Sequence, residues 1–401
     1  MIFSTKTKVE GAFMNKSRKI IFKISFVILG IILSIAFLFN NQTIIAEASF
    51  STDANYKSAV LIEKNSKQIL FENASDEKLP IASVTKLMTI LITLEKIDDG
   101  TISLDDKVAV SANASGMGGS QIFLDADNEY VLGELLKSVI VASANDSSVA
   151  LAEYIAGSES NFVRLMNERA KELNMTNTNY CNCTGLPSAE GYSTAYDQAL
   201  LLSAVLDFDT YHAYSSIWYE DFTHPSGRTT QMANTNKLSR YYEGCIGGKT
   251  GSTNEAKYCL AVGAVRNDMS LISVVLGADS SKERFKCASD LLNYGFENFE
   301  SKTLFSDKDL EGMSIKIKGM DRSTRLRAER NYTLVSKIGE DVNYSLNYNL
   351  PSMLLSVKRN QVVGNVEIVV NGVVVDKINI LSQDSHREAN VWDYFKEIIE
   401  N

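Results

Sequence analysis

Histidine is nearly absent from this chain: 401 residues contain only His212, His224 and His386. They lie far apart and in none of the usual metal-ligand spacings, which argues against a zinc enzyme. Any Ser-His-Asp triad would have to recruit one of these three. Cysteine is sparse and odd in number, with Cys181, Cys183, Cys245, Cys259 and Cys287 forming no paired CxxC framework. The five read mainly as small buried residues, with room for one disulfide. An excess of positive charge is also missing. The formal net charge of -9 argues against nucleic acid as a partner, because phosphate recognition needs clustered cationic surface. What is plentiful is apolar material, 45% of the chain, enough for a full core and for more than one domain.

The first 48 residues differ in kind. Lys6, Lys8, Lys16, Arg18, Lys19 and Lys23 precede the apolar run Ile24 to Phe39, which leads to Ala46-Glu47-Ala48. A basic end, an apolar stretch and a small-x-small site in that order read as a secretory signal cleaved after Ala48. Adding Ile20 to Phe22 brings the run close to the roughly 20 residues that span a bilayer, so a retained N-terminal membrane anchor is the alternative. On either reading, the rest of the chain works outside the cytoplasm.

From Ala54 to Phe71 the pattern predicts two strands around a turn at Lys64 to Ser66. After Pro80, Leu87, Ile90, Leu91, Leu94 and Ile97 fall on one helix face while Met88 and Ile92 fill the opposite side, which predicts a helix buried nearly all round. Helices are expected over Val131 to Val141, from the break at Ser143-Ala144-Asn145-Asp146 to Ile155, over Asn161 to Met175 and over Lys282 to Phe296. Gly244 to Thr253, Lys257 to Val265 and Ser270 to Ala278 read as three consecutive antiparallel strands. The reading is an α+β domain over 49–302, an antiparallel sheet with helices around a buried central helix. Beyond it, short runs of period-two character and an Asn371-Gly372 hairpin turn predict a small all-β domain over 303–384. In the tail, 385–401, Val391, Trp392, Phe395, Ile398 and Ile399 share a helical face that can dock on the protein or lie in a membrane interface.

Ser83 and Lys86, in "SVTK", sit three apart at the start of the buried helix and so share a face. Alone, the pair reads as a helix cap and an exposed lysine, since S-x-x-K occurs often by chance. For Lys86 to act as a base, its pKa near 10.4 must fall by roughly three units, worth about 4 kcal/mol. Burial, the helix N-terminus and a second cation supply such a shift. The active reading therefore requires another lysine nearby. "GGKTGST" offers Lys249, with Thr250, Gly251 and Ser252, on a strand expected beside that helix. Between them lies Ser143-Ala144-Asn145, readable alone as a helix N-cap.

The order SxxK, SxN, KTG in one exported chain resembles the serine D-alanyl-D-alanine carboxypeptidases, the low-molecular-mass penicillin-binding proteins. The resemblance extends through Gly118 to Leu124, Thr184 to Pro187, Tyr192 to Leu201, Asn234 to Leu238 and Leu291 to Phe296, and into the β-rich domain. Ala144, where glycine is frequent, and Cys181 and Cys183 beside "TGLP" depart from the pattern. The resemblance implies a β-lactamase/transpeptidase-like fold and removal of the terminal D-Ala from peptidoglycan pentapeptide stems, with β-lactams as covalent inhibitors. It implies that Ser83 is the nucleophile, Lys86 the base and Ser143 a proton relay. Asn145 would hold Lys86 and the substrate amide, and Lys249 would keep Lys86 neutral and attract the substrate carboxylate, to which Thr250 donates. Gly251 lets the substrate approach, and the backbone N–H groups of Ser83 and Ser252 would form the oxyanion hole. Asp197 is a family position nearby that reads equally as a structural carboxylate. No metal or organic cofactor is implied. A serine β-lactamase and a non-catalytic wall-binding homologue are the alternatives.

Overall fold

The computed structural model describes residues 50–393. The expected export signal or anchor, with 1–49, lies outside the described residues, as do Phe395, Ile398 and Ile399 of the tail. Among the described residues no helix is long and apolar enough to cross a membrane.

A five-stranded antiparallel sheet joins the two ends of the first domain. Its strands are β1 (Ser58–Glu63), β2 (Ile69–Asn73), β3 (Cys245–Thr253), β4 (Lys257–Arg266) and β5 (Met269–Ala278), in the order β2-β1-β5-β4-β3. β1 and β5 pair from Ser58 opposite Leu276 to Glu63 opposite Leu271. Both are buried along their whole length, because helices cover the two faces of the sheet centre, and so both read as near-continuous apolar runs. β3 is an edge strand, and Tyr211 bonds both backbone groups of Gly248 on it.

The buried helix is α1 (Lys86–Asp98), in which every residue from Lys86 to Leu94 is buried. Around it pack α2 (Leu132–Val141), α3 (Asn145–Ala156), α4 (Glu159–Glu172) and α5 (Ala195–Val205). α6 (Ser281–Asn298), capped by the Ser280 hydroxyl, lies against β4 and β5.

The texture change expected at 302 falls inside a strand, Phe299–Phe305, which follows α6 directly and pairs with Tyr332–Lys337. A six-stranded sheet follows, built around its own core of Ile315, Ile317, Leu326, Val366, Ile368, Ile378 and Ile380. Asn371 and Gly372 both have positive φ, 51° and 80°, as a type I′ turn requires. The run Met353 to Arg359 yields only a two-residue strand, Met353–Leu354, paired parallel to Lys316 and Ile317. Val357 is instead bridged to His386.

Candidate active site

α1 does not begin with a capping side chain. It continues a 3-10 turn, Ala82–Thr85, and Ser83 lies inside that turn. The tight turn brings positions three apart onto one side, and Lys86 Nζ donates to Ser83 Oγ at 3.0 Å and to Thr184 O at 2.6 Å. The backbone presenting the serine is held in place from both flanks. Ala82 has φ 47°, a left-handed conformation that costs an alanine about 1 kcal/mol or more. A Cβ on Gly185, itself at φ +78°, would lie 1.9 Å from Ala82 O, and one on Gly251 would lie 2.6 Å from Ile81 O and 2.9 Å from Ser83 N. The Thr184–Pro187 loop and β3 therefore close on the nucleophile turn only because both contact positions lack a side chain.

Lys249 is not an exposed edge lysine: it is 1% exposed, and its Nζ donates to Ser143 Oγ at 2.7 Å and to Thr250 O at 3.1 Å. Ser143, at φ 62° between α2 and α3, is likewise not a cap, since Ala144 occupies the N-cap position of α3. Thr250 and Gly251 are buried beside it on β3, while Ser252 is exposed.

The expected bond from Asn145 to Lys86 is not formed. Asn145 Nδ2 donates instead to Gly118 O at 2.6 Å, which leaves its Oδ1 buried and without a partner. The two acceptors of Lys86 are already Ser83 and Thr184. Asp197, at the first turn of α5, accepts from Asn177 N at 2.9 Å and Thr178 Oγ1 at 2.6 Å. It is a structural carboxylate that fastens the segment leading to Cys181.

Three groups that the sequence reading missed support the site. The fully buried Asp146 accepts from Ile122 N and Leu124 N at 3.1 Å each and from Ser147 N at 2.9 Å, fastening the Gly118 to Leu124 segment to α3. Asn182 Oδ1 accepts from Gly185 N at 2.6 Å and from Thr184 N at 3.2 Å, turning the Thr184 carbonyl toward Lys86. Arg284, buried on α6, donates to Gly251 O at 3.0 Å and Cys259 O at 3.3 Å, placing a cation behind the KTG strand. Asp146 adjoins the SxN triplet and was legible as part of "SAND"; Arg284 carried no local signal.

Burial holds Lys86 down to about 7, against the opposite pull of Cys183 and Asp146. Burial comes first for Lys249 too, which lies well below the usual lysine range, with the charges of Lys86 and Arg284 adding to it. Burial is thus the leading cause of the low Lys86 pKa, where a second cation was expected to be prominent. The repulsion between the amines falls on Lys249, and the charge of Lys249 is not among the causes that hold Lys86 down.

All five cysteines are unpaired, Cys183, Cys259 and Cys287 buried and Cys181 exposed. His212 bridges the carbonyls of Leu206 and Ile246, and His224 bonds Tyr130 and Thr230; neither touches Ser83. Among the described residues no cluster of His, Cys, Asp and Glu is placed to hold a metal.

The family described as D-alanyl-D-alanine carboxypeptidase matches residues 43–280, and the penicillin-binding protein 5 C-terminal domain matches 299–388. The chain is 35% identical over 346 residues to the D-alanyl-D-alanine carboxypeptidase DacF of Bacillus subtilis, covering 85% of this chain and 88% of that one. It is 33% identical over 375 residues to DacC of Escherichia coli, covering 89% and 92%. The structure of penicillin binding protein 5 from Haemophilus influenzae aligns with a TM-score of 0.68 at 28% identity, over 84% of this chain and 99% of that one. A Streptomyces K15 DD-transpeptidase variant aligns with a TM-score of 0.58 at 26% identity, over 62% of this chain and all of that one. With a half-buried Ser83 on the buried amine of Lys86 beside a Lys-Thr-Gly strand, and with these matches, the chain belongs to the D-alanyl-D-alanine carboxypeptidase family of serine hydrolases.

Proposed function

We propose that Ser83 attacks the carbonyl of the terminal D-Ala-D-Ala bond of a peptidoglycan pentapeptide stem, giving an acyl-enzyme that water hydrolyses, and that penicillins acylate the same oxygen. One observation carries this reading: a completely buried lysine with its amine 3.0 Å from the serine hydroxyl. An amine held near 7 is neutral in a large fraction of molecules at neutral pH and can take the Ser83 proton.

Geometry supports the other roles in this proposal. Ser143 Oγ accepts from Lys249, so its own hydrogen is free to pass to the leaving amine. Lys249, Thr250 and Arg284 form the electropositive end of β3 that receives the substrate carboxylate. That carboxylate favours the charged form of Lys249, and the repulsion between the amines then favours neutral Lys86 as substrate arrives. The unpartnered Asn145 Oδ1 accepts from a substrate amide. Ser83 N and Ser252 N take the oxyanion, and Gly251 keeps β3 close enough for both to reach it. The catalytic portion is assigned to 49–302 and the β-rich portion to 303–384. Work outside the cytoplasm follows from a wall substrate. The N-terminal segment or the tail, where Val391 and Trp392 are each 77% exposed, supplies any hold on the membrane.

D-alanine release from a pentapeptide ending in D-Ala-D-Ala tests the activity. Ser83→Ala should abolish both that release and labelling by a fluorescent penicillin; substantial residual labelling removes Ser83 from the nucleophile role. Lys86→Arg should be nearly as damaging, since a guanidinium is no base at neutral pH. A long-lived penicillin adduct is expected, and rapid turnover would mark a β-lactamase. A folded wild type that neither labels nor releases D-alanine would mark a non-catalytic homologue.

A further inference from the structure

The edge of β3 is open over a short length. In its ladder with β4, Gly248 stands opposite Val262, Thr250 opposite Leu260 and Ser252 opposite Tyr258. Backbone groups alternate in direction along an antiparallel strand, so these three residues turn N–H and C=O to the same, outer side. At Gly248 both groups are taken: its N–H donates to Tyr211 Oη at 3.1 Å, and that hydroxyl donates to Gly248 O at 3.2 Å. Just before it, Ile246 O lies 3.0 Å from His212 Nδ1. Tyr211 and His212 belong to the short helix Asp209–Ser215, which covers this half of the edge and leaves Tyr211 fully buried. Gly247 admits the ring, since a Cβ there would lie 2.6 Å from Tyr211 Cε1. Past Gly248 the cover stops. Thr250 O accepts from Lys249 Nζ, and among the described residues no bond from outside the sheet reaches Thr250 N or either backbone group of Ser252.

The direction of the substrate decides what meets this stop. With the terminal carboxylate at Lys249 and Thr250 and the reacting carbonyl at Ser252 N, the peptide runs antiparallel to β3 and its C-terminus points at Gly248. A residue added after the terminal one reaches the next outer position, two strand residues or about 7 Å further on. The donor and the acceptor it needs there are already joined to one hydroxyl. A longer chain must therefore leave either its own amide groups or those of Gly248 buried and unpaired, which is costly. A chain that ends at Thr250 meets no such conflict.

We infer that Tyr211 is a positioning residue that ends the open edge of β3 at Gly248 and so confines cleavage to the last peptide bond of a chain. The inference rests on the carboxypeptidase reading. Tyr211 acts through Gly248, whose neighbour in the strand is Lys249, and its hydroxyl bonds neither Ser83 nor Lys86.

The test uses the full chain and two peptides, Nα,Nε-diacetyl-L-lysyl-D-Ala-D-Ala and the same peptide with glycine added at its C-terminus. The D-Ala–D-Ala bond is scored in both, as release of D-alanine from the first and of D-alanylglycine from the second. The wild type should favour the first by about 100-fold in kcat/KM, the scale of loss when a reacting group is displaced by about 1 Å. Tyr211→Phe keeps the ring and frees both Gly248 groups to pair with the longer peptide, so the preference should fall about tenfold, the upper range for one net hydrogen bond. A general loosening of the fold lowers both rates together, and the ratio, taken on one preparation, does not register it. Comparable release of both products by the wild type, or a ratio unchanged in Tyr211→Phe, overturns the role of Tyr211 and leaves the carboxypeptidase standing. Release of neither product, with penicillin labelling also absent, fails the carboxypeptidase reading itself.

Discussion

Lys86 sets the pH behaviour of the site. Acylation by penicillin should rise through a single limb near pH 7 as the amine loses its proton; a flat profile between pH 5 and 9 would assign the base elsewhere. The same shift has a stability consequence of opposite sense to that of an ordinary paired lysine. Between about pH 7 and 10.4 the unfolded chain holds a proton on this group that the folded chain has released, so stability rises with pH across that window. Below about pH 7 the full cost, about 5 kcal/mol, is present. Lys86→Met removes it, and should abolish acylation while stabilising the protein by about 2 kcal/mol at pH 6, as replacing buried charge by apolar volume often does. Paired denaturation curves at pH 6 and pH 9 check this, with a smaller gain expected at pH 9. A destabilised Lys86→Met at pH 6 would show that the amine is not under strain.

At the scale of elements, the site exists because β3 and the Thr184–Pro187 loop touch the nucleophile turn without side chains between them. Gly251→Ala places a methyl 2.6 Å from Ile81 O and 2.9 Å from Ser83 N, so the turn or the strand must move. Displacing a reacting group by about 1 Å can cost on the order of 100-fold, and the acylation rate constant of Gly251→Ala should fall by about that factor, with stability lowered by about 1–3 kcal/mol. Unchanged acylation by a folded variant would mean that β3 does not set the position of Ser83. The elements and the meeting of the three motifs were legible because each has a local signature: the all-round burial of α1, the three apolar runs closing the sheet, the Asn371-Gly372 turn. What was not legible depends on contacts between distant segments. Spacing already put Ser83 on one face with Lys86, but Ser143 taken alone read as a helix cap, and only the fold shows it beside Lys249. Arg284 sits on a helix whose sequence gives no hint that one side chain crosses to the carbonyls of Gly251 and Cys259.

Across the whole molecule the chemistry and the β-rich portion are separable. Every group assigned to the reaction lies between Ser83 and Arg284, and the core around α1 includes no residue beyond Leu276. The portion after α6 has its own core. It meets the first through a short list that includes Phe299 against the Tyr294 ring at 5.7 Å, Ile338 N donating to Asn298 O at 3.0 Å and Ser301 Oγ donating to Asp268 O at 3.4 Å. None of these reaches the nucleophile turn, and couplings between groups far apart with no shared partner are usually small. A chain that ends at Asn298 should therefore acylate with penicillin at a rate within about a factor of two of the full chain. Its midpoint of thermal unfolding should fall, because Phe299 leaves the Tyr294 ring exposed. Circular dichroism first establishes that the shortened chain is folded, and the labelling time course then decides. A folded but unreactive fragment would mean that the β-rich portion shapes the site through a route other than these contacts.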